Sequence, residues 1–156
     1  MAVSVFLDTS VLVAGSIEFG PQSDPARSLL DAVAEKRIGR VSTGWHCCLE
    51  FYSVTTRLPP EFRLTPADAA RLVAEEILAR MAVQDLPAHA RRAFIRSLAQ
   101  DRAVGGGIYD AHIADVARAA AATVIVTDNR RHFVSALRHG LRVETPAEFL
   151  STSKKK

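Results

Sequence analysis

Met1-Ala-Val-Ser-Val-Phe-Leu-Asp-Thr-Ser10 joins a short apolar run to a cluster of side-chain oxygens. Val3 to Leu7 is nearly all apolar and rich in β-branched and large residues. Such a run reads as a strand buried on both faces, the kind found centrally in a parallel sheet. Asp8, Thr9 and Ser10 follow at its carboxyl end, the edge at which open α/β sheets bind ligands. A carboxylate leaving a core strand is costly to desolvate unless a cation compensates it, and a divalent metal does so most effectively. The competing reading is that Asp8 simply N-caps the helix that follows.

At 156 residues the chain reads as one domain with room for a real core. No apolar run approaches the roughly 20 residues of a membrane span. The first run is too short for a signal peptide, lacks a basic leader and leads straight into polar residues. Cys47 and Cys48 are adjacent, so they cannot make an ordinary disulfide together, nor a four-ligand zinc site without more Cys or well-spaced His. They read as reduced, partly buried thiols of a cytoplasmic protein. The formal charge of +3, from 20 Lys+Arg against 17 Asp+Glu, is too mild to establish a nucleic-acid partner.

Beyond the first strand, Val11 to Ile17 reads as a short helix and Phe19 to Ser23 as a loop. Asp24-Pro25 is a helix start, and Leu29, Leu30 and Val33 give that helix its apolar stripe. Ile38 to Ser42 is a strand candidate. Trp45 to Leu58 is a helix stopped by Pro59-Pro60. Thr65-Pro66-Ala67-Asp68 opens the next helix with a cap, a proline and a first-turn acid. Val83 to Leu86 reads as a strand, followed by a helix holding Phe94, Ile95 and Leu98. Gly105-Gly106-Gly107 breaks the chain before an Ala-rich helix from Ile108 to Ala122. Thr123 to Thr127 is a second β-branched strand, Arg130 to Arg138 looks helical, and Leu141 to Glu144 is a final short strand. Strands and helices alternate without repeat or linker, which argues for a single α/β domain with a central, mainly parallel sheet and helices on both faces. Residues 1–150 form that domain in this reading, and 151–156 a disordered basic tail.

Four acids stand out against this framework. Asp8 ends one core strand, and Asp128, after Val124-Ile125-Val126-Thr127, follows another at the same sheet edge. Helical spacing puts Asp110 on the face that carries Ile113, Ala114 and Ala117, while Asp115 points away and reads as solvated or peripheral. A helix-dipole role for Asp110 in the first turn is the alternative. Glu50 is a lone acid in Trp45-His46-Cys47-Cys48-Leu49-Glu50-Phe51-Tyr52, and Glu is rarely buried without a partner. Arg57, two turns on, could be an ordinary structural neighbour. Oxygen ligands of this kind suit Mg²⁺ or Mn²⁺, which use a few carboxylates and keep several waters.

The arrangement resembles the PIN-domain nucleases, and most closely the VapC-type toxins of bacterial and archaeal toxin–antitoxin pairs. The residues that carry the resemblance are Phe6-Leu7-Asp8-Thr9-Ser10-Val11-Leu12-Val13, Glu50, Tyr109-Asp110-Ala111-His112-Ile113-Ala114 and Val126-Thr127-Asp128-Asn129-Arg130-Arg131-His132-Phe133. Together they span the chain in family order. One departure is the fourth acid, which the family usually places two residues after the Thr and four before the Phe. Asn129 stands there, with Asp128 one residue earlier, so Asp128 either substitutes or caps the next helix.

The resemblance implies a three-layer α/β/α fold and metal-dependent endoribonuclease activity on an RNA substrate. It also implies a homodimer and a cognate VapB-type antitoxin whose tail fills the active-site groove. Asp8 and Asp110 would hold the main metal, Glu50 and Asp128 would complete the site or orient the water, and Thr9 or Ser10 would position an acid or a phosphate oxygen. Arg130, Arg131 and His132 are candidates for phosphate contact, with a solvated helix face as the alternative.

Other α/β enzymes fit less well. A haloacid-dehalogenase-type phosphatase needs a second Asp two positions after the first, where Ser10 stands. A dinucleotide-binding fold needs a Gly-rich turn after the first strand, and Asp8 to Ile17 has only Gly15. The non-enzymatic alternative is a PIN-like domain that only binds RNA or a partner.

Overall fold

The computed structural model describes residues 3–137 and 139–155. Five parallel strands form one sheet in the order β3-β2-β1-β4-β5: β1 Ser4–Leu7, β2 Arg40–Gly44, β3 Ala82–Gln84, β4 Val124–Val126 and β5 Arg142–Glu144. β1 is central and every residue in it is buried, as the apolar run predicts. It pairs with β2 through Phe6 opposite Ser42, and with β4 through Leu7 opposite Val126.

The chain builds outward from β1 through β2 to β3, then returns to lay β4 and β5 on the other side. Strand order therefore reverses at β1/β4, and the carboxyl ends of these two strands flank the crevice where such sheets receive ligands. The helices fall into two groups. α1 (Thr9–Ser16) packs on α2 (Asp24–Ala34) and α3 (Trp45–Thr55), α3 packs on α4 (Pro66–Leu72), and α2 packs on α8 (Pro146–Ser153). On the other side α6 (Gly107–Ala119) packs on α5 (Arg91–Gln100) and α7 (Val134–Leu137). Right-handed crossovers place the two groups on opposite faces of the sheet, because the direction of strand addition changes between them. The fold is three-layered α/β/α, as expected.

Several boundaries differ from the sequence reading. β2 begins at Arg40 rather than Ile38, because its pairing with β1 starts at Ser4 opposite Arg40. α3 ends at Thr55, three residues short of Leu58: Leu58 precedes a proline, which disfavours helical backbone, and Leu64 N–H folds back onto the Thr55 carbonyl at 3.0 Å. The expected helix 130–138 is a 3₁₀ turn, Arg130–Phe133, followed by α7, and Arg138 lies outside the described residues. The boundary at 151 falls inside α8, which is started by a Thr145/Glu148 capping box and runs through Ser153. The Thr152 and Ser153 hydroxyls bond back to the Glu148 and Phe149 carbonyls at 3.0 and 2.9 Å, so residues 151–153 are helical and not tail. Lys156 lies outside the described residues. Cys47 and Cys48 are free and buried. Among the described residues no helix is long and apolar enough to cross a membrane.

Candidate active site

At the carboxyl edge of β1 and β4 lies a cleft of about 340 Å³. Asp8, Thr9, Ser10, Glu50, Asp110, Asn129 and His132 supply its polar wall. Three of the four acids singled out in the sequence thus share one cavity, brought there by β1, α3 and α6. Among the described residues neither Lys nor Arg lines the cleft.

Asp8 occupies the N-cap position of α1, yet its side chain makes no capping bond. The carboxylate turns instead toward two hydroxyls: Ser10 Oγ and Thr127 Oγ1 both donate to Asp8 Oδ2, at 2.9 and 2.8 Å. Each hydroxyl in turn accepts a backbone N–H from the loop after β4. Asp128 N–H bonds Ser10 Oγ at 3.0 Å, and Asn129 N–H bonds Thr127 Oγ1 at 3.0 Å. Both hydroxyl protons are committed to Asp8, so two parallel relays tie the β4 loop to one carboxylate oxygen. Asp8 is 5% exposed, and burial pushes its carboxyl above the ordinary range despite these hydrogen bonds, with the Glu50 charge adding to the rise. The capping alternative for Asp8 is excluded by this geometry.

Glu50 is half-buried with both oxygens engaged. Thr9 Oγ1 donates to Oε2 at 2.7 Å, and His46 Nε2 lies 2.8 Å from Oε1. His46 stands one turn before Glu50 on α3, so its Glu neighbour was visible as an i,i+4 pair. Arg57 plays no part: it is exposed and away from the cleft. Asp110 reaches the cleft from the first turn of α6, and His132 Nδ1 sits 3.7 Å from its Oδ2. Burial raises the Asp110 carboxyl, His132 lowers it, and the charges of Asp8 and Glu50 raise it again. The charges of Asp8 and Glu50 therefore act on Asp110 across the cleft that all three line.

Asn129, not Asp128, lines the cleft. Asp128 is exposed at its margin, with its carboxyl raised by partial burial and by Asp8. Asp115 lies apart from the cleft and pairs with Arg118 at 3.7 Å. The three phosphate-contact candidates separate as well. Arg130 is paired to Glu148 at 2.7 Å, Arg131 is exposed, and His132 alone faces the cleft. Cys47, beneath Asp8, has its thiol pushed up to about 11 by burial and by the Asp8 charge, so it stays protonated and inert.

Among the described residues no three His, Cys, Asp or Glu side chains are gathered closely enough to hold a metal ion together. Mg²⁺ does not require such a group of three, since it usually takes one or two carboxylates and keeps its waters. The donors here are hard oxygens, and a deeply buried carboxylate without a fixed cationic partner is the kind of group such an ion compensates.

The model of the family described as PIN domain matches residues 4–131. This chain belongs to the PIN domain family. Over 123 residues it is 32% identical to the ribonuclease VapC40 of Mycobacterium tuberculosis, an alignment that covers 79% of this chain and 85% of that protein. It is 40% identical over 85 residues to the ribonuclease VapC27 of the same organism, covering 54% of this chain and 60% of that one. Among solved structures, DNA-bound VapBC from Salmonella typhimurium superposes with a TM-score of 0.62 at 21% identity, covering 92% of this chain and 98% of that one. VapC20 of Mycobacterium tuberculosis, a toxin that cleaves the sarcin–ricin loop, superposes at 0.59 with 18% identity and coverage of 78% and 87%. At those identities the superpositions speak to the fold. The PIN-domain match spans Asp8, Glu50, Asp110 and Asn129.

Proposed function

We propose that this PIN domain is a metal-dependent endoribonuclease, the toxin of a VapBC-type pair. The observation that carries the reading is the convergence of Asp8, Glu50 and Asp110, from three separate elements, on a cleft that no described Lys or Arg lines. The ribonuclease relatives support the substrate class. Asp8 and Asp110 would hold Mg²⁺ or Mn²⁺, with Glu50 and Asn129 beside them. The ion, when bound, supplies positive charge against the scissile phosphate and acidity to the attacking water. Ser10 and Thr127 fix Oδ2 of Asp8 and so the orientation of its carboxylate. Thr9 and His46 hold Glu50 so that it orients the water rather than swinging free. His132, beside Asp110, is placed to meet a phosphate oxygen.

Purified protein assayed on a structured RNA should cut it with Mg²⁺ or Mn²⁺ and lose all cleavage in chelator. Cleavage that survives chelation would end the proposal. RNA binding without any cleavage would favour the non-nuclease alternative.

The fourth position separates two neighbours. Asp128→Asn should change cleavage by less than about threefold, in line with surface substitutions that touch no core partner. Asn129→Ala should lower it by roughly 10- to 100-fold, the usual cost of removing a group that holds a metal ligand or its water in place. The reverse ranking in initial rates would make Asp128 the fourth acid.

The reading extends to partners. The VapBC neighbours support a VapB-type antitoxin for this chain, and the family resemblance supports a homodimer. On α3, Trp45, Leu49 and Tyr52 recur at i, i+4 and i+7 and are 45%, 51% and 40% exposed, an apolar stripe that a second copy would cover. Phe51, their neighbour on α3, is fully buried and belongs to the core. Light scattering should give twice the chain mass at micromolar concentration, and Leu49→Asp should halve it. A parent that is monomeric there would remove the dimer from the reading.

A further inference from the structure

Beside the cleft stands an aromatic surface that the reaction above does not use. Tyr109, immediately before Asp110, is 56% exposed. One face of its ring lies flat against His46, with centroids 5.4 Å apart and planes 4° from parallel. His46 is itself fixed on other sides: Nε2 meets Glu50 Oε1 at 2.8 Å, and the His112 ring packs edge-on at 5.9 Å. His112 is backed in turn by Phe94 at 5.7 Å. Tyr109 is thus the outermost plate of a supported stack, and its free face looks outward next to the acids.

We propose that this face stacks a nucleobase of the bound RNA, the base flanking the phosphate in the cleft, and so helps to choose where the strand is cut. The inference rests on the ribonuclease reading and deepens it. Proteins that hold single-stranded RNA do so by stacking splayed bases on aromatic rings, because every base presents a π-face. Among its described lining residues the cleft has acids and no Lys or Arg, so apart from a bound ion and His132 the affinity for the strand has to come from outside it. Tyr109 is the exposed aromatic ring directly bonded in sequence to a cleft acid, and its stacking on His46 exists before RNA arrives, so little ordering remains to be done on binding. Arginines are available nearby for the backbone. Arg91, Arg92 and Arg96 are exposed on α5, which packs on α6, and none has an ion-pair partner among the described residues.

Short single-stranded RNA oligonucleotides carrying 2-aminopurine at each position in turn report stacking by loss of fluorescence. They are titrated with the full chain in Ca²⁺, whose loose coordination answers the charge of the acids without the strict octahedral geometry of Mg²⁺. One position should be strongly quenched by the parent and by Tyr109→Phe, which keeps the ring. Tyr109→Ala should lose that quench, and its Kd for the strand should rise on the order of 5- to 100-fold. A Tyr109→Ala protein that retains both quench and affinity overturns the proposal. So does a variant whose only defect is in dimerisation or in antitoxin binding, since the ring would then serve a protein partner. A purely structural role for Tyr109, supporting His46, would lower cleavage in Mg²⁺ without moving the quench, and this also overturns it. The two readings fail separately. Protein that quenches through Tyr109 yet cuts no RNA in Mg²⁺ refutes the nuclease reading alone, and protein that cuts without a Tyr109-dependent quench refutes this one alone.

Discussion

Asp8→Asn should abolish cleavage and, in chelator, raise the melting temperature. The two effects come from one charge. If Asp8 holds the metal as proposed, its loss should exceed the roughly 10- to 100-fold typical of groups that only support a ligand. The stability gain follows from burial: Asp8 is almost inaccessible, and its carboxyl is raised chiefly by desolvation. Asparagine keeps an oxygen that accepts from Ser10 and Thr127 as Asp8 Oδ2 does, and brings no charge to desolvate. The linkage has a definite sign. A carboxyl whose folded pKa lies above its unfolded value of about 3.9 binds more protons in the folded state. Its contribution favours folding at low pH and is lost as pH rises through the raised folded value. In chelator, therefore, the parent should lose stability relative to Asp8→Asn as pH climbs from 4 toward neutrality, and added Mg²⁺ should restore the parent but not the variant. Scanning calorimetry across pH, with chelator and with Mg²⁺, measures both. A variant that melts below the parent in chelator at neutral pH would remove the argument from desolvation, and one as active as the parent would remove Asp8 from the mechanism.

Thr127→Val should lower both stability and cleavage, so its thermal effect has the opposite sign. Thr127 is fully buried, donates to Asp8 and accepts the Asn129 N–H. Valine fills the space but carries no hydroxyl, so one relay is cut and the Asn129 N–H loses its partner. Leaving such a group unsatisfied costs about 1–3 kcal/mol. For a domain of this size that lowers Tm by roughly 2–12 °C. Asp8 and the loop holding Asn129 lose their common anchor, and cleavage should fall by about 10- to 100-fold. Thr127→Ser keeps the hydroxyl and should recover most of the rate. Equal rates for the Val and Ser variants would show that the relay has no part in catalysis.

Much of this protein was legible residue by residue. The run from Val3 to Leu7 is apolar except at Ser4, and only a strand covered on both faces buries consecutive residues from Ser4 to Leu7, as β1 does. Helical spacing set Asp110 toward the cleft, which does not receive Asp115. It misjudged Asp115 as solvated, because other elements pack over that side of α6: the Asp115 side chain is 24% exposed against 30% for Asp110. The Thr65 cap is local chemistry, whereas β2 begins where its pairing with β1 starts and α3 ends short of Pro59-Pro60, where the chain folds back.

The sequence by itself determined the parallel α/β architecture and the acids worth testing, because burial pattern and capping are encoded within a few residues. Only the tertiary structure decided that Asp8, Glu50 and Asp110 share one cleft, that His46 and Thr9 hold Glu50, and that Asn129 rather than Asp128 lines the wall. Thr127 and Asp8 are 119 residues apart in the chain, and it is the pairing of β1 with β4 that sets their side chains 2.8 Å from each other. In the loop beyond, one residue's step turns a side chain from the cleft to solvent, and which of two neighbours faces inward is fixed by hydrogen bonds to Ser10 and Thr127 that no local pattern specifies.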